Sequence, residues 1–241
     1  MNEFIDVNFN FYSDAKGRDP DKYSPTLRRY HKILWSKKLP SGDLFVLDDT
    51  GSIHGRYLYY TDGINEHFLT SDAIGHSYSR WKRTQKMIHQ FPPEEIQYFF
   101  DSLRNISSYI IFPGNVVNKL PTINGERGMN SYINDRFDLT LECIRLFYRN
   151  EENPLFTTFN RYKSFFDLFV DFKGYCDFFL LQDFVENDYN SIRFYLPFDG
   201  FVLHPYPKTV ETYKIYKMNV LEIHEKRKNR IKNYVENQIH L

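Results

Sequence analysis

The sequence predicts an α+β fold: a mixed N-terminal half with short antiparallel strands, a mainly helical C-terminal half, and a long C-terminal helix. Three observations predict it. Short apolar runs, Leu44 to Leu47, Arg56 to Tyr60 and His67 to Thr70, are separated by Asp/Gly turns and read as an antiparallel meander. From Asp135 onward, apolar residues recur at helical spacing, as in Phe137, Leu141, Ile144 and Tyr148. Lys208 to about Gln238 reads as one helix.

Element by element, Phe4, Ile5, Val7, Phe9 and Phe11 come close to alternation and predict a strand. Ser24-Pro25 predicts a helix start, because serine caps a free N–H and proline fits the first helical position. That helix runs to about Lys37 and stops at Leu39-Pro40-Ser41-Gly42. A basic helix follows from about Ser79 to His89, then one opened by Pro92-Pro93 and carried by Ile96, Phe99, Phe100 and Leu103. Ser107 to Phe112 reads as a buried strand, and Pro121 to Asn134 as a long loop. Asp135-x-x-Asp138 resembles a capping box, and Asp135, Asp138, Glu142, Arg145 and Arg149 read as a salt-bridged exposed face. Leu155 to Phe172 and Tyr175 to Val185 read as helices, and Ile192 to Leu196 as a strand. With no repeat, low-complexity tract or linker, residues 1–241 are expected to form a single domain.

Composition narrows the function classes. Apolar content of 41% with 26% charged residues argues against general disorder. The opening MNEFIDVNFNF lacks a basic region before an apolar run, and no segment is long and apolar enough to span a membrane. A cytoplasmic protein is expected. Cys143 and Cys176 are expected as two buried thiols, and the histidines show no H-x-x-x-H spacing, so neither a metal site nor a cofactor is expected. The 23 Phe and 19 Tyr can pack a core or stack on bases, and composition does not decide between those uses.

Net charge is zero, yet it is segregated. Lys22 to Lys38 and Arg80 to Lys86 hold no acid, whereas Asp167 to Asp188 is acidic with only Lys173 opposing. Such runs present a local basic face to phosphates or are simply solvated helix faces. On the first helix Arg28, His31 and Trp35 share a face, with Arg29 and Lys32 beside them, an arrangement able to pair phosphate and stack a ring. Arg80, Arg83 and Arg127 are further candidate phosphate ligands; Gly125 and Gly128 bracket Glu126-Arg127 and would allow close backbone approach. Arg136 lies on a face with Thr140, Cys143 and Phe147, and needs either an internal carboxylate or a bound anion. Asp72 and His76 follow a strand and are candidates for activating water; the competing reading is a strand-end turn with a helix cap.

Gly17-Arg18-Asp19-Pro20 and His204-Pro205-Tyr206-Pro207 resemble the two signature loops of the uracil-DNA glycosylase superfamily. The resemblance implies that Asp19 positions water and that His204 stabilises a departing base, although Asp21-Lys22-Tyr23 stands where that family has Tyr-His. Two ordinary proline-bearing turns are the competing reading. Over most of its length the chain also resembles a bacterial family, a domain of unknown function, through DPDKYSPTLRRYHKILWSKKLPSG, FLTSDAIGHSYSRW, TINGERG, INDRFDLTLECIR and YCDFFLLQDFV. That resemblance implies no activity.

Two function classes follow. The first is an enzyme acting on a nucleotide or nucleic acid, a hydrolase of an N-glycosidic bond like a DNA glycosylase, with phage defence as the setting if the target is foreign DNA. Its acid–base candidates are Asp19, Asp72, His31, His76 and His204, and DNA or a nucleotide is its expected partner. The alternative is a non-catalytic binding module for an anionic small molecule or a protein, which needs the arginines but no water-activating carboxylate.

Overall fold

Strands β3 (Leu58–Thr61), β4 (Glu66–Ala73) and β5 (Tyr109–Pro113) pair antiparallel in that spatial order. The computed structural model describes residues 4–48 and 58–239; Arg56 and Tyr57, in the expected second strand, lie outside them. β4 is the central strand, with Tyr60 opposite His67 on one side and Asp72 opposite Ile110 on the other. Side chains alternate along it, so Ser71 and Asp72 leave opposite faces of the sheet. β5 is buried throughout, as the apolar run Tyr-Ile-Ile-Phe predicts.

The helix start at Ser24-Pro25 forms as expected. In α2 (Pro25–Trp35), after the single turn α1 (Pro20–Tyr23), Ser24 Oγ accepts the Leu27 N–H at 3.1 Å. α2 turns Leu27, Tyr30, His31, Leu34 and Trp35 inward. The short ladder of β1 (Lys37–Lys38) and β2 (Leu44–Phe45) follows. α3 (Lys82–Ile88) and α4 (Pro93–Ser102) come between β4 and β5.

Several expected elements change form. The N-terminal alternation survives only as burial of Ile5, Val7 and Phe11; the segment makes turns and no strand. The expected loop 121–134 contains the helix α5 (Ile123–Met129), capped by Thr122. Gly125 and Gly128 therefore do not adopt positive φ. The chain instead reverses at Asn134 and Asp135, with φ of 46° and 61°. α6 (Phe137–Tyr148) has no capping box: its N-cap is Arg136, which makes no side-chain cap bond, and Asp138 is buried. Of the expected exposed face, Glu142 pairs with Arg145 at 2.7 Å, while Arg149 reaches Asn190.

The region 155–185 breaks into α7 (Phe156–Asn160), α8 (Lys163–Asp167) and α9 (Phe172–Phe178), with Val170 turning at φ 69° between α8 and α9. Gly174 sits inside α9 rather than between helices; a Cβ there would lie 2.2 Å from the Phe169 carbonyl oxygen. β6 (Val185–Glu186) and β7 (Ser191–Ile192) form a two-residue ladder where a strand to Leu196 was expected. The aromatic surplus is largely core: Phe165, Phe169, Tyr175 and Phe179 stack edge or tilted at 5.0–5.3 Å. Cys143 and Cys176 are buried free thiols.

The long helix α10 (Val210–Ile239) lies across these elements. Its Arg227 is fully buried and donates to the carbonyls of Ser107, Tyr109, Phe179 and Leu180 at 2.7–3.2 Å. One guanidinium thus ties α10 to the start of β5 and to the end of α9, using donors that would otherwise be unsatisfied. Among the described residues no helix is long and apolar enough to cross a membrane.

Candidate active site

Where α1 packs on β4, a cleft of about 470 Å³ opens. Asp19 and Asp21 come from the α1 turn, His76 from the extended segment after β4, and Tyr109 from the start of β5. Arg18, Arg80 and Arg104 bring three guanidinium groups to it. Arg104 is paired with Asp101 at 2.8 Å, and Arg18 lies over the Tyr23 ring. Arg80 is exposed and has no ion-pair partner among the described residues.

Behind Asp21 runs a chain of hydrogen bonds whose direction chemistry dictates. Trp35 Nε1 can only donate, and it does so to His31 Nδ1 at 3.0 Å. His31 therefore carries its proton on Nε2, which faces Ser71 Oγ at 3.0 Å. With that lone pair occupied, Ser71 donates its own proton to Asp21 Oδ1 at 3.1 Å. Burial pushes His31 down to about 3, helped by Arg227 and Arg28, so the imidazole stays neutral as the chain requires. Asp21 moves the other way. Burial, then the charges of Asp72 and Asp19, push its carboxyl up to about 8, against the opposing pull of Ser71 and Arg127. At neutral pH Asp21 is an acid, and because Oδ1 accepts from Ser71 its proton sits on Oδ2.

On the other side of β4, Arg127 is wholly buried. It pairs with Asp72 and donates from Nε to Thr140 Oγ1 at 3.0 Å, while Nη2 has no hydrogen-bond partner among the described residues. Burial raises the Asp72 carboxyl and Arg127 pulls it back, leaving it at about 6, ionised at neutral pH. Asp135, whose N–H bonds the Arg127 carbonyl at 3.0 Å, faces His76 Nε2 at 3.7 Å. His76 Nδ1 accepts the Tyr78 N–H at 3.1 Å, so the neutral ring carries its proton on the Asp135 side. Burial lowers the affinity of His76 for a second proton, with the Asp135 charge opposing. A Cβ on Gly128 would meet Asp135 Oδ1 at 3.3 Å, so this glycine makes room for the carboxylate.

The structure thus brings Asp19, His76 and Arg80 to one cleft, with Asp72, Arg127 and His31 behind it. Asp19 caps α1 through the Asp21 N–H at 3.3 Å and remains exposed. His31 and Arg127 are buried at 1% and 0% exposure, which removes them from direct ligand contact. Asp72 is neither a strand-end turn nor a cap; it lies within β4. The basic helix expected from about Ser79 starts only at Lys82, after Tyr78 turns at φ 56°, so Arg80 precedes it.

Trp35 is no stacking platform: it is fully buried against Phe179, 5.2 Å between centroids. Arg136 is answered internally, by a fork onto Asp138 and by the Pro205 carbonyl at 2.9 Å. Arg83 reaches Tyr206 Oη at 2.7 Å, away from the cleft. His204 is exposed, bonded through its backbone to Ser131, and does not line the cleft with Asp19. Arg28 and Arg29, on α2, do not line it either. The sequence suggested no site role for Asp21, Ser71 or Asp135, and Asp135 was expected as a helix cap. Only the acid pair Asp19 and Asp21 flanking Pro20 offered a local signal. Among the described residues no group of His, Cys, Asp and Glu has the arrangement of a metal site.

Fold and cleft together define an α+β protein whose cleft is lined by three arginines and by a carboxyl that burial pushes up to about 8. The chain belongs to a family of unknown function (DUF6994), whose profile matches residues 5–231. No curated protein and no solved structure matched it.

Proposed function

We propose that the chain is a hydrolase of an N-glycosidic bond in a nucleotide or nucleic acid, with Asp21 as general acid. The observation that carries this reading is the Trp35–His31–Ser71–Asp21 chain, which ends on a carboxyl kept protonated near neutral pH at a solvent-open cleft. A departing base needs a proton as its C–N bond breaks, and an acid with a value near the working pH supplies it most effectively. The exposed Asp19 carboxylate takes the proton of the attacking water. Arg80, with Arg18 and Arg104, holds phosphate, and Tyr12, Phe100 and Tyr109 supply ring surface for the base. The volume fits one nucleotide unit, within the range of small-molecule pockets.

The test is release of free base from mononucleotides and from a single-stranded oligodeoxynucleotide, followed by chromatography. Asp21→Asn keeps the Ser71 acceptor but has no proton to give, and is expected to slow release by about 10²–10⁴-fold. The native rate should fall as pH rises through about 8, where Asp21 ionises. Absence of base release from both probes, or an Asp21→Asn variant as fast as the native chain, overturns the reading. Tight nucleotide binding without release would favour the binding-module alternative.

A further inference from the structure

A second group stands apart from this cleft. Lys37, in β1, places Nζ 5.1 Å from the ring centroid of Trp35, 4.7 Å from Phe178 and 4.6 Å from Tyr234. The three rings come from α2, α9 and α10, and Nζ has no hydrogen-bond acceptor among the described residues. A cavity of about 450 Å³ opens at the lysine, bounded by Leu39, Pro40, Gly174 and Phe178. On its wall Asp177 pairs with Lys173 and also accepts from Tyr189 and Gln182, and Lys38 and Asp171 balance each other in sign.

We propose that Lys37 is a nucleophilic amine that condenses with a small uncharged aldehyde, giving an iminium held between the faces of Trp35, Phe178 and Tyr234. An ammonium brings three N–H donors that no described residue accepts, leaving only water, whereas the iminium brings one N–H and a more diffuse charge. The ring faces attract that cation and would repel an anionic product such as a carbamate. In the step, the amine lone pair bonds the carbonyl carbon and the C–O bond breaks. The oxygen leaves as water with one amine proton and one proton from solvent, and no oxidant or reductant takes part.

The electrostatics agree with this. Burial pushes Lys37 down to about 7, the Arg227 charge on α10 adds to the effect, and Asp177 on α9 opposes it. Neutral amine is then abundant at neutral pH, where an ordinary lysine has almost none.

The experiment treats the full chain with propanal and sodium cyanoborohydride at neutral pH and maps propylated lysines by peptide mass spectrometry. Lys37 is expected to react at least about ten-fold faster than Lys38 or Lys173, with its own pH midpoint at about 7. Lys37→Arg should abolish that fast adduct while leaving the slow ones unchanged. Tyr234→Leu keeps the apolar cover but removes one ring, and should lower the preference by about three-fold or more. A Lys37 that reacts no faster than Lys38, or that stays unmodified, overturns the proposal. None of these readouts depends on base release by the Asp21 cleft.

Discussion

Replacing Asp21 by Asn should make the protein more stable at alkaline pH, and the size of the effect follows from the cleft. The carboxyl has an ordinary value of 3.8 and a folded value of about 8. A raised acid keeps in the folded state a proton that the unfolded chain has released. Its contribution to stability is therefore complete below the ordinary value and is lost as pH rises to about 8. At about 1.4 kcal/mol per unit, the whole span corresponds to on the order of 6 kcal/mol as an upper bound. Because Asp21 lines an open cleft, water screens the charge, and ~2 kcal/mol is the expected realised change. Asn retains the oxygen that accepts from Ser71 and carries no charge at any pH. Urea unfolding of both chains, from about pH 5 to about pH 8.5, gives the difference directly. Asp72, His76 and Lys37 titrate in both chains, so to first order they drop out of that difference. The Asn variant should gain ~2 kcal/mol on the native chain across the window. A difference flat to within about 0.5 kcal/mol refutes the claim that Asp21 is held protonated.

Two further outcomes test the frame around the cleft. Arg127→Leu leaves the Asp72 carboxylate beside an apolar side chain and should cost about 3–5 kcal/mol, while Arg127→Leu with Asp72→Leu should recover more than half of it; urea midpoints of the two variants decide, and a double variant as unstable as the single one sinks the pairing argument. Gly174→Ala sets a methyl 2.2 Å from the Phe169 carbonyl oxygen, which is backbone and cannot swing away. A loss of about 1–3 kcal/mol is expected by thermal denaturation, and an unchanged midpoint would show that the α9 entry is not tightly packed.

What could be read from the sequence was whatever depends on neighbours along the chain. The Ser24-Pro25 cap, the α4 stripe of Ile96 and Phe99, the β5 run and the span of α10 all rest on local periodicity or capping, and all appear. Local evidence failed where tertiary contacts decide the outcome. TINGERG looked like a glycine loop because glycine usually marks turns. Thr122 capping and burial of Ile123 and Arg127 instead make it a helix. Arg136 was expected to need either an internal carboxylate or a bound anion; it has the carboxylate, on Asp138, which had been assigned to a capping box. The cleft shows the same division. Asp19, His76 and Arg80 carried the residue types that catalysis uses, whereas Asp21 gains its character from burial and from Asp72, and its orientation from Ser71, 50 residues away.

That distance explains why a buried tryptophan matters to a solvent-facing acid. Every member of the chain between them except Trp35 is ambivalent: His31 can carry its proton on either nitrogen, Ser71 can rotate its hydroxyl, and Asp21 can accept or donate. The indole N–H has no such freedom, so it alone fixes the sense of all three bonds. Without a donor at that position, His31 could place its proton on Nδ1 and accept from Ser71, and Ser71 would no longer have a proton for Asp21 Oδ1. The acid would lose the bond that orients it and leaves its proton on Oδ2. The aromatic face first read as a stacking surface on α2 thus acts from inside the core, by setting the polarity of hydrogen bonds that end at the cleft.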